Sequence, residues 1–202
     1  MPVLRSAPAS PFGRKVKIAA AELGLLDRLE IRMADTTDPG DSLRKENPLG
    51  KIPALILDDG MVLFDSRVIL EWLDVEAGGG RIIPAAPAAR FAALRLQALA
   101  DGLADAALLI VYEGRFRAES ERCPAWLAHQ QGKIDRTLDA LEAAPPADGA
   151  ALSVGTIALA CALGYLDLRL GSGWRETHPK LAAWLDAFSA RVPSFEKTRF
   201  VP

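Results

Sequence analysis

Asn47-Pro48-Leu49-Gly50-Lys51-Ile52-Pro53-Ala54-Leu55 is the stretch on which the fold turns. Two prolines bracket a glycine turn directly ahead of an apolar run. Pro53 removes a backbone donor where a strand begins and confines Ile52 to an extended shape. An extended residue at such an edge offers its N–H and C=O to another peptide. Taken alone, the segment also fits a loop that its prolines merely stiffen. Downstream, Ala54 to Leu57 and Met61 to Phe64 flank Asp58-Asp59-Gly60, and Asp-Gly between apolar runs signals a hairpin. Asp65-Ser66 then opens a helix in which Val68, Ile69, Trp72 and Leu73 keep helical spacing. Upstream, Val3 and Leu4 begin a strand, and Arg14 to Leu23 is helical up to Gly24, a suitable C′ residue. Leu29, Ile31 and Met33 alternate with Arg28, Glu30 and Arg32, as in a strand with one wet face. The first half therefore reads β-α-β, loop, β-β-α.

The composition changes after Ala77. Gly78-Gly79-Gly80, Pro84 and Pro87 read as a linker, and beyond them the chain is rich in Ala and Leu. This predicts an α/β domain over 1–78, a linker over 79–87 and an all-α domain over 88–202. Ala88 to about Arg117 forms one long helix, with Gly102 as a candidate bend. Ala125 to Ala143 forms another, ended by Pro145-Pro146. A third, capped by Ser153, is apolar nearly all round from Ile157 to Leu168 and belongs at the centre of a helical bundle. A fourth follows Pro179, with Leu181, Trp184, Leu185 and Phe188 on one stripe.

The 202 residues are 50% hydrophobic and 25% charged, an ordinary globular composition. With 24 basic against 26 acidic residues, a broad footprint for nucleic acid is excluded. Cys123 and Cys161 form no C-x-x-C pair or Cys/His cluster, which argues against a disulfide scaffold or zinc ribbon. His129 and His178 lie far apart, and no metal-ligating motif is present. The longest apolar run, Ile157 to Leu166, is about half of the roughly 20 residues that span a bilayer. A cytoplasmic, reduced, soluble protein without metal or membrane partner is expected.

The chemistry-bearing positions sit at helix starts. Ser10-Pro11 pairs a favoured N-cap with a favoured first helical residue, which places the hydroxyl at the positive helix end. A thiolate placed there would be stabilised and its pKa lowered. Asp65-Ser66 combines free amides, a hydroxyl and a dipole into a corner for a carboxylate. Each, taken singly, also reads as an ordinary cap.

In order along the chain, Ser10-Pro11-Phe12-Gly13-Arg14-Lys15-Val16, Asn47 to Leu55 and Phe64-Asp65-Ser66-Arg67-Val68-Ile69 resemble the glutathione transferase family. His178-Pro179-Lys180-Leu181 and Arg191-Val192-Pro193-Ser194-Phe195 resemble its C-terminal pattern. The resemblance spans essentially the whole chain and is nearest to small bacterial members with an active-site serine or cysteine. It implies a thioredoxin-like α/β domain followed by an all-helical one. It implies that Pro53 follows a cis bond and that Ile52 pairs with the cysteinyl part of glutathione. Asp65 and Ser66 then hold the γ-glutamyl end, Lys51 reaches the glycyl carboxylate and Phe12 belongs to the same binding set. Ser10 donates to the glutathione sulfur, so that the thiolate attacks a hydrophobic electrophile, with weak peroxidase action as a further use.

The family builds its electrophile pocket near Tyr112, Arg115 and Phe116, although the i, i+4 spacing of Tyr112 and Phe116 fits bundle packing equally well. Asp101 and Asp105 share a helix face, and a solvated pair of charges is the preferred reading over an approach to the glutathione amino group across a dimer interface. A homodimer is implied. One departure concerns Ser153: the residue three positions on is Thr156, not the family's Asp, so the reciprocal half of that cap is expected to be lost. Ser10 in place of cysteine disfavours chemistry through an enzyme disulfide. The competing reading is a glutathione-binding or regulatory protein of the same fold with little turnover.

Overall fold

The computed structural model describes residues 1–147 and 149–201. Strand β1 (Val3–Ser6), helix α1 (Pro11–Glu22) and strand β2 (Glu30–Met33) form a β-α-β unit with β1 and β2 parallel. A short helix α2 (Leu43–Glu46) precedes the proline-bracketed loop. Strand β3 (Ala54–Ile56) runs antiparallel to β1, and β4 (Val62–Leu63) antiparallel to β3, giving the sheet order β2-β1-β3-β4. The Asp-Gly turn closes as its residue types require. Leu57 N–H donates to the Met61 carbonyl at 2.8 Å, and Gly60 takes φ +87°. Helix α3 (Ser66–Glu76) packs on α1 and β3, and Leu4, Val16, Ile18, Leu55, Ile69 and Leu73 are buried in the core.

Strand β2 corrects one expectation. Ile31 and Met33 are 48% and 68% exposed, while Leu29, just before the strand, is buried. β2 is an edge strand, and the face that carries its apolar side chains is left uncovered. Alternation marks two faces of a strand but not which one meets the core.

The second half is helical: α4 (Pro87–Phe116), α5 (Pro124–Ala143), α6 (Val154–Arg169), α7 (Trp174–Thr177), α8 (Pro179–Arg191) and α9 (Pro193–Lys197). α4 runs unbroken through Gly102. α6 is central, with Val154 to Leu163 buried at every position, and it packs on α4, α1 and α8. Gly155 allows the close approach of α4, because a Cβ there would lie 2.6 Å from the Ala93 carbonyl oxygen. The cap of α6 is complete, contrary to the reading from Thr156. Thr156 N–H donates to Ser153 Oγ at 3.2 Å, and Ser153 N–H donates back to Thr156 Oγ1 at 2.9 Å. A hydroxyl oxygen accepts where a carboxylate was expected to be needed.

The glycine- and proline-rich connection between α3 and α4 follows a fixed path. The buried Asp74 carboxylate accepts N–H groups from Gly80 at 2.9 Å, Arg81 at 2.9 Å and Ile82 at 2.7 Å. Ile82 and Ile83 are buried, and the Ile82 carbonyl accepts Val154 N–H at the start of α6.

Candidate functional site

Ser10 caps α1, and its Oγ accepts Gly13 N–H at 3.1 Å. Glycine at position 13 lets α1 start hard against β1, because a Cβ there would collide with Ser6 Oγ. With its oxygen accepting from the helix, the Ser10 hydroxyl still has its hydrogen to donate. Ser10 faces a cavity of about 260 Å³ between the β1–α1 loop, α6 and the C-terminal segment.

The loop over 47–53 is braced from within. The buried Asn47 amide donates to the Lys51 carbonyl at 2.8 Å, and its oxygen accepts Leu49 N–H at 3.0 Å. Gly50 turns the chain with φ +59°, and the Ile52–Pro53 bond is cis. Neither the N–H nor the C=O of Ile52 has a hydrogen-bond partner among the described residues. Lys51 is exposed and Pro53 buried.

Strand register brings the pieces together. Ala54 pairs with Arg5 and Leu55 with Leu63, so continuing β3 back toward its start sets Pro53 level with Ser6 on one side and Asp65 on the other. At the start of α3 the cap is Asp65, whose Oδ1 accepts Arg67 N–H at 2.9 Å. Ser66 is the first helical residue, not the cap, and is buried. Phe12 is half-buried one turn from Lys15, whose Nζ lies 5.7 Å from its ring centroid.

Asp101 is not solvated. Lys15 Nζ lies 2.5 Å from its Oδ1, with side-chain exposures of 1% and 3%. Arg67 Nε donates to Oδ2 at 3.0 Å. The carboxylate thus ties α4 to α1 and to the first turn of α3. The i, i+4 spacing of Asp101 and Asp105 placed them on one face of α4, and that face is turned toward the α/β domain. Asp105, one turn on, remains exposed in contact with solvent. Partial burial and the like charge of Asp101 hold its carboxyl above the usual aspartate range, opposed by Lys51, Arg67 and Lys15.

Arg14, adjacent to Lys15, is buried at 8% exposure on the other side of α1. Its Nη2 donates to the Phe195 carbonyl at 2.5 Å and its Nε to Thr198 Oγ1 at 3.3 Å, with the guanidinium 3.9 Å from the Phe195 ring centroid. No carboxylate among the described residues pairs with it. Cys161 lines the same cavity, but burial pushes its thiol up to about 12, so it stays protonated at neutral pH. Cys123 is exposed, and its backbone N–H donates to Glu113.

Tyr112, Arg115 and Phe116 form their own cluster near the end of α4. The Tyr112 and Phe116 rings meet edge-on at 5.2 Å, and the Arg115 guanidinium lies 5.3 Å from the Tyr112 centroid. None of the three lines the cavity beside Ser10. Tyr165 does, and its hydroxyl is raised by burial, with Tyr112 and Arg115 among the groups that act on it. Arg14 lies in a matching stretch but receives no role from the motif, and Tyr165 and Arg199 lie outside the motifs altogether. The available signal was Gly164, a glycine inside an otherwise apolar central helix, where a Cβ would lie 2.7 Å from Arg14 Nη1.

Residues 9–76 match the N-terminal domain model of glutathione S-transferases, and residues 124–187 match the C-terminal domain model. The chain belongs to the glutathione S-transferase family. A GST-like protein of Escherichia coli K12, YibF, is 34% identical over 94% of each chain. A crystal structure of a glutathione transferase family member from Pseudomonas fluorescens Pf-5, with bound glutathione, is 43% identical over 100% of both chains, with a TM-score of 0.93. A further structure of a glutathione transferase family member from that strain, with bound S-(propanoic acid)-glutathione, is 44% identical over 98% of this chain and 99% of that one, with a TM-score of 0.88. The glutathione S-transferase fold accounts for the four-stranded mixed sheet followed by the helical domain. Among the described residues of this family member, no group of three or more His, Cys, Asp or Glu is placed to hold a metal. Among the described residues no helix is long and apolar enough to cross a membrane.

Proposed function

We propose that this protein binds glutathione at the shared end of β1, β3 and α3, ionises its thiol beside Ser10 and directs the thiolate to an electrophile in the adjoining cavity. The observation that carries this reading is the convergence of three features: a serine hydroxyl at the start of α1, Ile52 with neither backbone group paired among the described residues, and, level with Pro53 by strand register, the first turn of α3. Ile52, held by Pro53, pairs with the cysteinyl unit as an added strand. Asp65 takes the γ-glutamyl ammonium, and Ser66 with the α3 amides takes its carboxylate. Lys51 reaches the glycyl carboxylate, and Phe12 packs beneath the tripeptide. That a relative from Pseudomonas fluorescens was crystallised with glutathione and, separately, with S-(propanoic acid)-glutathione supports the choice of ligand.

Ser10 donates to the sulfur and favours the thiolate. One hydrogen bond to a charged partner contributes about 1.5–3 kcal/mol, or one to two pK units. In a substitution the sulfur bonds to carbon and the leaving group departs with its electron pair, the thiol proton having passed to water. Tyr112, Arg115 and Phe116, which do not line the cavity, act on the electrophile site only through Tyr165, on whose hydroxyl Tyr112 and Arg115 bear. The α/β half over 1–78 and the helical half over 88–202, joined by 79–87, divide the work between the two substrates. The protein acts in the cytoplasm as a homodimer.

Calorimetric titration with glutathione and a spectrophotometric assay with a generic aromatic halide test the reading. Saturable binding with turnover is expected. Ser10→Ala should raise the pKa of the bound thiol, followed by thiolate absorbance, while sparing most of the affinity. Binding without turnover toward halides or peroxides would leave a glutathione-binding protein, and absent binding would overturn the proposal.

A further inference from the structure

The cavity beside Ser10 is not the plain apolar pocket expected for a hydrophobic electrophile. Of the buried cations, Arg5 meets Asp41 and Glu46, and Lys15 meets Asp101. Arg14 is also more than nine-tenths buried, yet its described partners are a carbonyl and a hydroxyl. Its Nη1 has no hydrogen-bond partner among the described residues, and it lies against Gly164 in the cavity wall. Burial of the guanidinium disfavours its charged form and the nearby Arg199 adds to this, opposed by Cys161 and, more weakly, by Glu196. Arg175 and Arg199 line the same space, Arg175 paired with Asp167 and Asp186 and Arg199 with Glu196 at 2.8 Å through one of its amino groups. Asp167 is the acid in the lining, and it is already engaged by Trp174 Nε1 at 2.8 Å and by Arg175 at 2.7 Å. Pro11, Leu168 and Phe200 supply apolar wall for an organic skeleton. A buried guanidinium with one free donor in a cavity wall calls for an anion, and its planar fork is matched by a carboxylate.

We infer that the electrophile taken by this cavity carries a carboxylate, held by Arg14 from inside and Arg199 from the rim, with its reactive carbon turned toward Ser10. The inference rests on the glutathione reading and specifies its second substrate as a small organic acid with a leaving group on its reactive carbon. The sulfur–carbon bond forms and the bond from that carbon to the leaving group breaks. The leaving group departs with the electron pair, and the carboxylate is unchanged.

Two conjugates of nearly the same shape test this without turnover: S-(carboxymethyl)glutathione and S-(carbamoylmethyl)glutathione, which differ by one negative charge. Calorimetry on the full chain should show the carboxylate binding about tenfold more tightly, the scale of one good charge-assisted pair. Arg14→Gln should bring the ratio to unity. Arg199→Gln, at an exposed site that leaves the fold intact, should reduce it about threefold by removing the weaker rim contact. Equal affinity of the two conjugates for the wild-type chain overturns the inference and leaves the glutathione reading standing. Failure of glutathione and both conjugates to bind overturns both. An unchanged ratio in Arg199→Gln, if Arg14→Gln does not fold, also counts against the charged cavity.

Discussion

Arg14 and Lys15 are sequence neighbours on one turn of α1, both buried, and they meet opposite environments. Lys15 points to α4 and finds Asp101 at 2.5 Å, with Arg67 sharing the carboxylate from α3. Arg14 points to α6 and α9 and finds a backbone carbonyl, a hydroxyl and an aromatic ring. One interface is closed by charge compensation; the other leaves a cation against open space. The first is organised to hold two domains in register, whereas the second is organised to receive something. Removing one partner of a buried ion pair strands the other, while removing an unpaired cation relieves a burden as well as losing contacts.

That contrast is broken most forcefully at Lys15. Lys15→Met leaves Asp101 buried with only Arg67, and should destabilise the fold by about 3–5 kcal/mol in denaturant unfolding. Adding Asp101→Leu should restore most of the loss, since a matched apolar pair tolerates burial better than a lone charge. Arg14→Met should cost less, about 1–2 kcal/mol, because two hydrogen bonds and the stacking on Phe195 are lost while an unpaired charge leaves the interior. A cost for Arg14→Met as large as that for Lys15→Met would erase the distinction. Gly164→Ala sharpens it further. Helix propensity favours alanine by about 1 kcal/mol, which the approach to Arg14 Nη1 should offset in the wild-type background. In the Arg14→Met background the same change should be stabilising, and a double-mutant cycle reads the coupling.

The smallest effect concerns Asp105, which faces the same cations as Asp101 without a direct contact. Its folded pKa lies above that of the unfolded chain, so the folded state keeps the proton longer as pH rises. Stability from this group is therefore lost as pH climbs through the window just above the ordinary aspartate value, and the penalty is complete at neutral pH. Asp105→Asn should raise Tm at pH 7 and leave it unchanged at pH 3.

Features governed by neighbours along the chain were legible in the sequence. Ser10 caps α1, Asp-Gly turns the hairpin, α6 is buried all round, and the proline-bracketed loop leads into β3. These depend on a few adjacent residues and on steric rules that hold anywhere. Apart from the Thr156 cap, the misreadings concern which face of an element meets which partner. Ile31 and Met33 alternate correctly but face outward, because an edge strand receives a covering layer only if another element supplies one. Asp101 shares a helix face with Asp105, and nothing local says that α1 will place Lys15 against that face. Thr156 differs from the usual acidic partner by type, but the cap requires only an oxygen within reach. The cavity's charge was hidden because Arg14, Gly164, Arg175 and Arg199 come from widely separated stretches and form no motif.

The Asp74 carboxylate also constrains how two copies of the chain can meet. It gathers successive amides of the crossing into a tight knot, while the Ile82 carbonyl is hooked by the first amide of α6. Exchange of helical halves between two chains needs a crossing that can straighten into an open hinge. Here straightening would strip a buried carboxylate of its donors and expose Ile82 and Ile83 to water. Two copies that associate must therefore meet as finished bodies, surface to surface, rather than by trading parts.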